Sequence, residues 1–258
     1  MPNDAIYGQP EVLWQDDHHQ FIWLGAGDPT VEQGMPSNQY MVVDHDEAFL
    51  LDPGGYEVFG RVYGNATRFV NPRKIRGIFL SHQDPDVGGA IAKWVDVAPQ
   101  AEVIVSGLWA RFMLHLPLRE VPRLLSLPDE GVVFRLPSGD VLQFIPAHYL
   151  HSAGNFHVYD SRSRTLFSGD VGAALMEVSS GVPVVSDFDQ HVGSMIDFHQ
   201  RYLACNKAKN SYLDRLAALG QPIERICPQH GAIFQGDDVQ RLLDWLRRID
   251  VGVDHKGE

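Results

Sequence analysis

Short runs of apolar residues, separated by glycine, proline and aspartate, follow one another along most of the chain. Runs of three to five β-branched or aromatic residues that are closed by turn residues are typical of strands. The pattern predicts strands at residues 21–24, 39–43, 48–51, 77–80, 102–105, 132–134, 141–145, 155–159, 165–167 and 223–227.

Longer segments between these strands carry apolar residues at the spacing of a helix. They predict helices at residues 90–97, 108–116, 198–219 and 239–249. Gly220 ends the third of these helices, and Val239, Leu242 and Leu246 form an apolar stripe along the last. Strands interleaved with helices in two similar halves predict an α/β fold in which two sheets lie between helices.

Composition and charge narrow the class of protein. A chain of 258 residues with 44% hydrophobic residues can bury a large core, and without a visible linker or repeat we expect one domain over residues 1–258. The formal net charge of −12 argues against nucleic acid or an anionic membrane as the partner. No apolar stretch approaches the roughly 20 residues that cross a bilayer. With two cysteines and no secretory pattern at the N-terminus, we expect a cytoplasmic protein.

Six histidines and aspartates lie where apolar, strand-like runs end, and together they predict a binuclear metal site: His82, Asp84, Asp86, His151, Asp170 and His230. The first three share the segment Ser81-His-Gln-Asp-Pro-Asp-Val87. In an extended or looped segment alternate residues share a side, so these three can converge. Three imidazoles and three carboxylates suit iron or manganese at least as well as zinc.

The other histidines show no comparable pattern. His148 and His151 would point to opposite faces of an extended backbone, so only one of the two is expected to be a ligand. The rest are predicted to be surface or structural histidines: His18, His19, His45, His115, His157, His191, His199 and His255.

The order and context of the six residues resemble the metallo-β-lactamase fold, an αββα sandwich with two mixed sheets between helices. Hydrolases of that fold begin with His-x-His-x-Asp-His, whereas flavodiiron proteins have His-x-Glu-x-Asp-His. The segment His82-Gln-Asp84-Pro-Asp86-Val87 has a carboxylate at the third position and is therefore similar to the diiron proteins. The resemblance covers residues 10–250 and includes Leu166-Phe-Ser-Gly-Asp170 and Ile226-Cys-Pro-Gln-His-Gly231; it selects His151 over His148.

The resemblance implies a set of ligands for two iron ions. His82, Asp84 and His151 would hold one iron, Asp86 and His230 the other, and Asp170 would bridge them. Val87 stands where the family usually has a histidine, so the second iron would keep an open position unless His148 or a residue of 185–200 fills it. Zinc or manganese could take the place of iron.

The resemblance also implies a function. Stand-alone oxygen-binding diiron proteins of bacterial chemotaxis are similar to this chain, which implies binding of O2 or NO by an oxygen sensor, or by a slow O2 or NO reductase with an external electron donor. Flavodiiron reductases add a flavodoxin domain with FMN; no flavodoxin phosphate loop is seen here, so we expect no flavodoxin domain and no bound FMN. A homodimer, with a signalling receptor or external reductase as partner, is expected.

Two alternatives remain open. A binuclear metal-dependent hydrolase would use a metal-activated hydroxide to attack an ester, lactone or phosphodiester. A signalling protein that has kept the fold but binds metal poorly is the other.

Overall fold

The structure, a computed structural model, describes residues 8–26, 35–116, 123–176 and 181–255. The strands within these ranges are β1 (Glu11–Gln15), β2 (His19–Ala26), β3 (Asn38–Asp44), β4 (Glu47–Leu51), β5 (Ile75–Phe79), β6 (Glu102–Ser106), β7 (Arg123–Leu127), β8 (Val132–Arg135), β9 (Val141–Pro146), β10 (Phe156–Asp160), β11 (Thr165–Phe167), β12 (Arg225–Cys227) and β13 (Phe234–Gln235). The α-helices are α1 (Phe59–Ala66), α2 (Pro85–Gly88), α3 (Ile91–Val97), α4 (Phe188–Tyr202), α5 (Asn206–Ala218) and α6 (Asp237–Arg248), and 3₁₀ helices cover Pro72–Lys74 and Phe112–His115.

The strands form two sheets. The first follows chain order from β1 to β7, with antiparallel pairs up to β4 and parallel pairs from β4 to β7. The second has the order β13-β12-β11-β10-β9-β8, and within it only the pair β11 and β12 is parallel. Both sheets are mixed, as the resemblance implied.

Three apolar clusters define the layers. Aromatic side chains from both sheets, among them Phe79, Phe144 and Phe167, pack against one another between the sheets. A second cluster joins the first sheet to α1 and α3 through residues such as Trp94, and a third joins the second sheet to α4, α5 and α6 through residues such as Leu213. Because each sheet buries one face on its partner and the other on helices, the predicted α/β sandwich is confirmed.

A buried polar cluster joins the two sheets. His19 of β2 places Nδ1 3.1 Å from Asp44 Oδ2, at the end of β3, and Nε2 2.8 Å from Asp160 Oδ2, at the end of β10. Hydroxyls of Ser138 and Ser163 donate further hydrogen bonds to these carboxylates. Both ring nitrogens face carboxylate oxygens, an arrangement that a doubly protonated imidazole satisfies by donating to both. Burial opposes the charge, but Asp160 and Asp44 outweigh it and raise the pKa of His19.

Two of the predicted helices differ from the structure. The predicted helix over residues 198–219 is two helices, α4 and α5, since Ala204 N–H donates to Tyr149 O at 3.0 Å and Cys205 forms a β-bridge with Gly252. The predicted helix at 108–116 is reduced to the 3₁₀ helix Phe112–His115. The sequence patterns also missed β1, β7 and α1. No helix of the described residues is long and apolar enough to cross a membrane.

Candidate metal centre

The six predicted site residues meet at one edge of the sandwich. His82 follows β5 of the first sheet, while His151, Asp170 and His230 follow β9, β11 and β12 of the second. Strands β9, β11 and β12 run in the same direction, so their carboxyl ends reach the same edge. The site therefore draws its side chains from both sheets.

A first group of donors surrounds the Asp84 and Asp170 carboxylates. Asp84 Oδ2 lies 2.9 Å from His151 Nε2 and 3.6 Å from His82 Nε2. Asp170 Oδ2 lies 3.4 Å from His82 Nε2 and 3.8 Å from His151 Nε2. Two imidazoles and two carboxylates thus face one another, and His82, His151 and Asp170 have the mutual spacing of metal ligands.

A second group uses the other oxygen of Asp170. His230 Nε2 lies 3.6 Å from Asp170 Oδ1 and 3.2 Å from Asp86 Oδ2. Asp170 therefore presents one carboxylate oxygen to each group. Val87 adds no donor, since a valine side chain has no ligating atom; it is fully buried in the apolar cluster that joins the first sheet to α1 and α3.

Hydrogen bonds orient two of the histidines. His230 Nδ1–H donates to Pro36 O at 2.8 Å, which leaves Nε2 to face the carboxylates. Ser81 Oγ–H donates to Asp52 Oδ2 at 2.6 Å, so the 2.9 Å bond between Ser81 Oγ and His82 Nδ1 must be donated by the imidazole. Such outer partners fix the tautomer and the ring orientation of metal-binding histidines.

The pKa values reflect the crowding of carboxylates. Burial opposes the charge on His82, but Asp170 and Asp84 outweigh it and raise its pKa to about 9. Hydrogen bonds from His151 and His82 hold the pKa of Asp84 well below its usual range. Burial raises the pKa of Asp52 to about 7, although His82 and Ser81 oppose that rise. Protons on imidazoles thus balance the negative charge, and a bound cation would displace them.

The residues fit a pair of divalent cations. Asp170 is 3% exposed, and its Oδ1 accepts no hydrogen bond from the described residues. A buried oxygen without a partner is destabilising, and a cation held with His230 and Asp86 would supply one. A donor set of imidazole and carboxylate groups, without thiolate, suits iron or manganese.

Residues 82–86 reach the site with a backbone conformation that differs from the predicted one. Asp84 is extended, with ψ 153°, and precedes α2, whereas Asp86 lies in the first turn of that helix. The prediction of one extended or looped segment was therefore wrong at Asp86. The change from extended to helical backbone sends the two carboxylates to different donor groups.

His148 stays outside the site, but not for the predicted reason. Tyr149 and His151 have φ values of 67° and 96°, so the segment is a tight turn rather than extended backbone. The His148 Nε2–H group donates to Asp129 O at 3.1 Å. The imidazoles that the structure places within 3.8 Å of the Asp86 or Asp170 carboxylates are those of His82, His151 and His230.

Sequence reasoning missed three residues that support the site. Asp52 and Ser81 orient His82, and Gln229, fully buried, donates from Nε2 to Asp86 Oδ2 at 3.2 Å. Ser81 and Gln229 each precede a predicted ligand directly, which was the available signal. Asp52 directly follows β4, and nothing in its local sequence points to His82.

Aromatic residues of α4 cover one side of the site. The Tyr202 ring lies edge-on to His151 with the centroids 5.4 Å apart, and Phe198 stacks on Tyr202 at 4.6 Å. Tyr202 is 51% exposed whereas Phe198 is buried. These rings therefore cover part of the His151 side chain, which is 20% exposed.

Solved structures share this fold over almost the whole chain. The structure described as the peroxy diiron species of chemotaxis sensor ODP is 40% identical, with a TM-score of 0.84 over 96% of this chain and 97% of that one. The apo state of chemotaxis sensor ODP from T. denticola, also 40% identical, has a TM-score of 0.82 over 95% of this chain and 97% of that one. Rubredoxin oxygen:oxidoreductase from Desulfovibrio gigas shares the fold at 18% identity, with a TM-score of 0.78 over 92% of this chain and 61% of that one.

Curated relatives are more distant and longer. A putative diflavin flavoprotein A 3 of Nostoc sp. strain PCC 7120 is 24% identical over 79% of this chain, which spans 35% of its length. The diflavin flavoprotein A 1 of Synechocystis sp. strain PCC 6803 is 24% identical over 83% of this chain, which spans 37% of its length. A family profile described as ODP family beta lactamase matches residues 35–231, about three quarters of the sequence. The chain belongs to the ODP family of the β-lactamase fold.

Proposed function

We propose that this chain binds O2 or NO at a non-haem diiron centre and acts as an oxygen sensor. The observation that carries the proposal is the position of Asp170, whose two carboxylate oxygens face two separate donor groups. The 40% identity to a chemotaxis sensor seen with a diiron species supports iron and a sensory role.

His82, Asp84 and His151 would hold one iron, Asp86 and His230 would hold the other, and Asp170 would bridge them. Because a valine side chain has no ligating atom, the second iron would have fewer protein ligands and a coordination position for a small ligand. Ferrous iron held by these residues would supply the electrons that a bound diatomic gas accepts.

The protein's own residues would position and shield this centre. The Asp52–Ser81–His82 chain of hydrogen bonds holds one ligand, and Gln229 holds Asp86. Phe198 and Tyr202 pack against His151 and would limit the access of water from that side. Slow reduction of O2 or NO would need electrons from an external reductase. We also propose that the chain forms a homodimer and that a signalling receptor is its partner.

Anaerobic loading with ferrous iron, followed by exposure to O2, tests the proposal. We expect two iron ions per chain and a diferric species in the Mössbauer and optical spectra that forms only with O2. His230→Ala and His151→Ala each remove a ligand from one group and should lose that species, while His148→Ala, close in sequence, should keep it. Absence of any oxygen-dependent species in the wild type, or turnover of ester and phosphodiester substrates instead, refutes the proposal.

A further inference from the structure

His199 lies outside the metal ligands but is tied to the loop that carries Asp170. It belongs to α4, is fully buried, and packs edge-on to Trp245 with ring centroids 5.1 Å apart. Its Nδ1 lies 2.8 Å from Met195 O, one turn back on the same helix. Its Nε2 lies 2.9 Å from the backbone nitrogen of Gly172, two residues after Asp170.

The two partners fix the state of the imidazole. The Gly172 N–H can only donate, so Nε2 must be the unprotonated acceptor. Nδ1 then carries the hydrogen and donates it to the Met195 carbonyl. Burial lowers the pKa of His199 to about 4, so the ring stays neutral and keeps this tautomer.

The hydrogen bond from the Gly172 N–H to His199 Nε2 holds residues 168–174, here called the Asp170 loop, on α4. Gly172 has φ 91°, and a Cβ there would lie 3.0 Å from the Phe234 ring, so the loop passes close to its neighbours. Other N–H groups of the loop, those of Ser168, Val171, Ala173 and Ala174, donate to backbone oxygens. His199 is thus a side chain from another element that fixes the backbone beside the bridging carboxylate.

The same helix reaches the other side of the site. Phe198, the neighbour of His199, and Tyr202 pack on His151. The Leu175 N–H, beyond the Asp170 loop, donates to Ser194 O of α4 at 3.0 Å. Helix α4 therefore sets the Asp170 loop against the His151 turn, and His199 is the polar contact nearest the bridge.

From this placement we infer that His199 is a positioning residue that holds Asp170 between the two metal sites. The inference rests on the proposed diiron function. Without the acceptor at Nε2, the loop should shift or fluctuate, and Asp170 should no longer present one oxygen to each group. The ion held by only Asp86 and His230 besides the bridge should then be weakened first.

The test compares His199→Phe, which lacks the acceptor, with His199→Gln, whose amide oxygen can accept the Gly172 N–H. His191→Phe is the matched control, since it makes the same change on the same helix. Each variant is titrated anaerobically with ferrous iron against a chromogenic chelator, and the Mössbauer spectrum and the apo thermal midpoint are recorded.

We expect both ions to bind normally to His191→Phe and the second ion to bind about 10-fold more weakly to His199→Phe, a typical effect of an outer-shell change. His199→Gln should recover most of that affinity. A second-ion affinity and spectrum of His199→Phe equal to those of His191→Phe overturn the inference, whatever the thermal midpoint. If His199→Phe does not fold, His199→Met replaces it. Failure of the wild type to bind two ions refutes the diiron proposal instead.

Discussion

Replacing His19 with leucine tests the polar cluster that joins the two sheets. His19, Asp44 and Asp160 are all fully buried, and His19 forms hydrogen bonds of 3.1 and 2.8 Å to the two carboxylates. Leucine fills a similar volume but leaves both carboxylates facing an apolar group. We expect the variant to fold with much reduced stability.

The expected loss follows from the burial of the cluster. Removing one partner of a buried ion pair typically costs about 3 to 5 kcal/mol, because the remaining charge is left uncompensated. For a domain of this size, 1 kcal/mol corresponds to about 2 to 4 °C in thermal midpoint, so the midpoint of His19→Leu should fall by roughly 6 to 20 °C.

Urea and thermal denaturation of the metal-free protein measure this loss. His18→Leu is the matched control, since His18 is the next residue but 28% of its side chain is exposed. The control should change the free energy of unfolding by less than about 0.5 kcal/mol. If His19→Leu is as stable as His18→Leu, the cluster does not hold the sheets together and the reasoning fails.

The pH dependence of stability gives a second measure of the same cluster. Burial opposes the charge of His19, but Asp160 and Asp44 outweigh it and raise its pKa. The contribution of His19 to the free energy of unfolding is therefore complete below the ordinary histidine pKa of about 6.5 and is lost as pH rises through the raised value.

Asp44 sets the acid limit. Burial would raise the pKa of Asp44, yet Ser138 and His19 lower it. That contribution is present above the ordinary value of about 3.9 and is lost at lower pH. The cluster should stabilise most between these limits. His19→Leu should lessen the alkaline decline in stability, and His82, whose pKa is also raised, should keep part of it.

Three further variants test the metal centre. Asp170→Asn keeps the size of the bridging side chain but removes its charge, so elemental analysis should find at most half of the wild-type iron; full occupancy would contradict the bridge. Gln229→Leu removes the donor to Asp86 and should weaken iron binding about 10-fold in a chelator competition; an unchanged affinity would exclude this role. Tyr202→Ala exposes more of His151 and should speed the loss of iron to a chelator, whereas His45→Ala, which removes an exposed ring beside the His19 cluster, should not.

Local sequence patterns predicted the central elements of the fold because buried apolar positions recur in them continuously or at the period of a strand or a helix. Strands β3, β4, β9 and β10 and helix α6 carry continuous or periodic apolar residues, and each was predicted close to its observed bounds. Helix α1 was missed, since Gly60 and Gly64 lower its helix propensity. The end of α4 depends on Tyr149 and Gly252, both distant in sequence, and no local pattern contains them.

The site was predictable in part. Aspartate or histidine at strand ends marked all six side chains, and the resemblance to diiron proteins divided them into the two groups that the distances now support. The division depends on the short helix α2, which the alternation argument did not predict. His199 could not be identified, because nothing in its local sequence points to the Gly172 N–H.

Two of the polar connections between the sheets, the His19 cluster and the candidate metal centre, lie at opposite ends of the sandwich. Strands β3 and β10 end at the His19 cluster, whereas β5, β9 and β11, which run the other way, end at the candidate metal centre. Bound ions would link His82, which follows a strand of the first sheet, to His151, Asp170 and His230, which follow strands of the second. Loss of those ions would remove these links at one end, where hydrogen bonds from Tyr40 to Pro228 O and from the Phe156 N–H to Ser81 O remain. The far end would keep the whole His19 cluster. Amide hydrogen exchange should therefore be faster in the metal-free protein than in the iron-loaded protein. The increase should be largest at the site and become smaller towards His19.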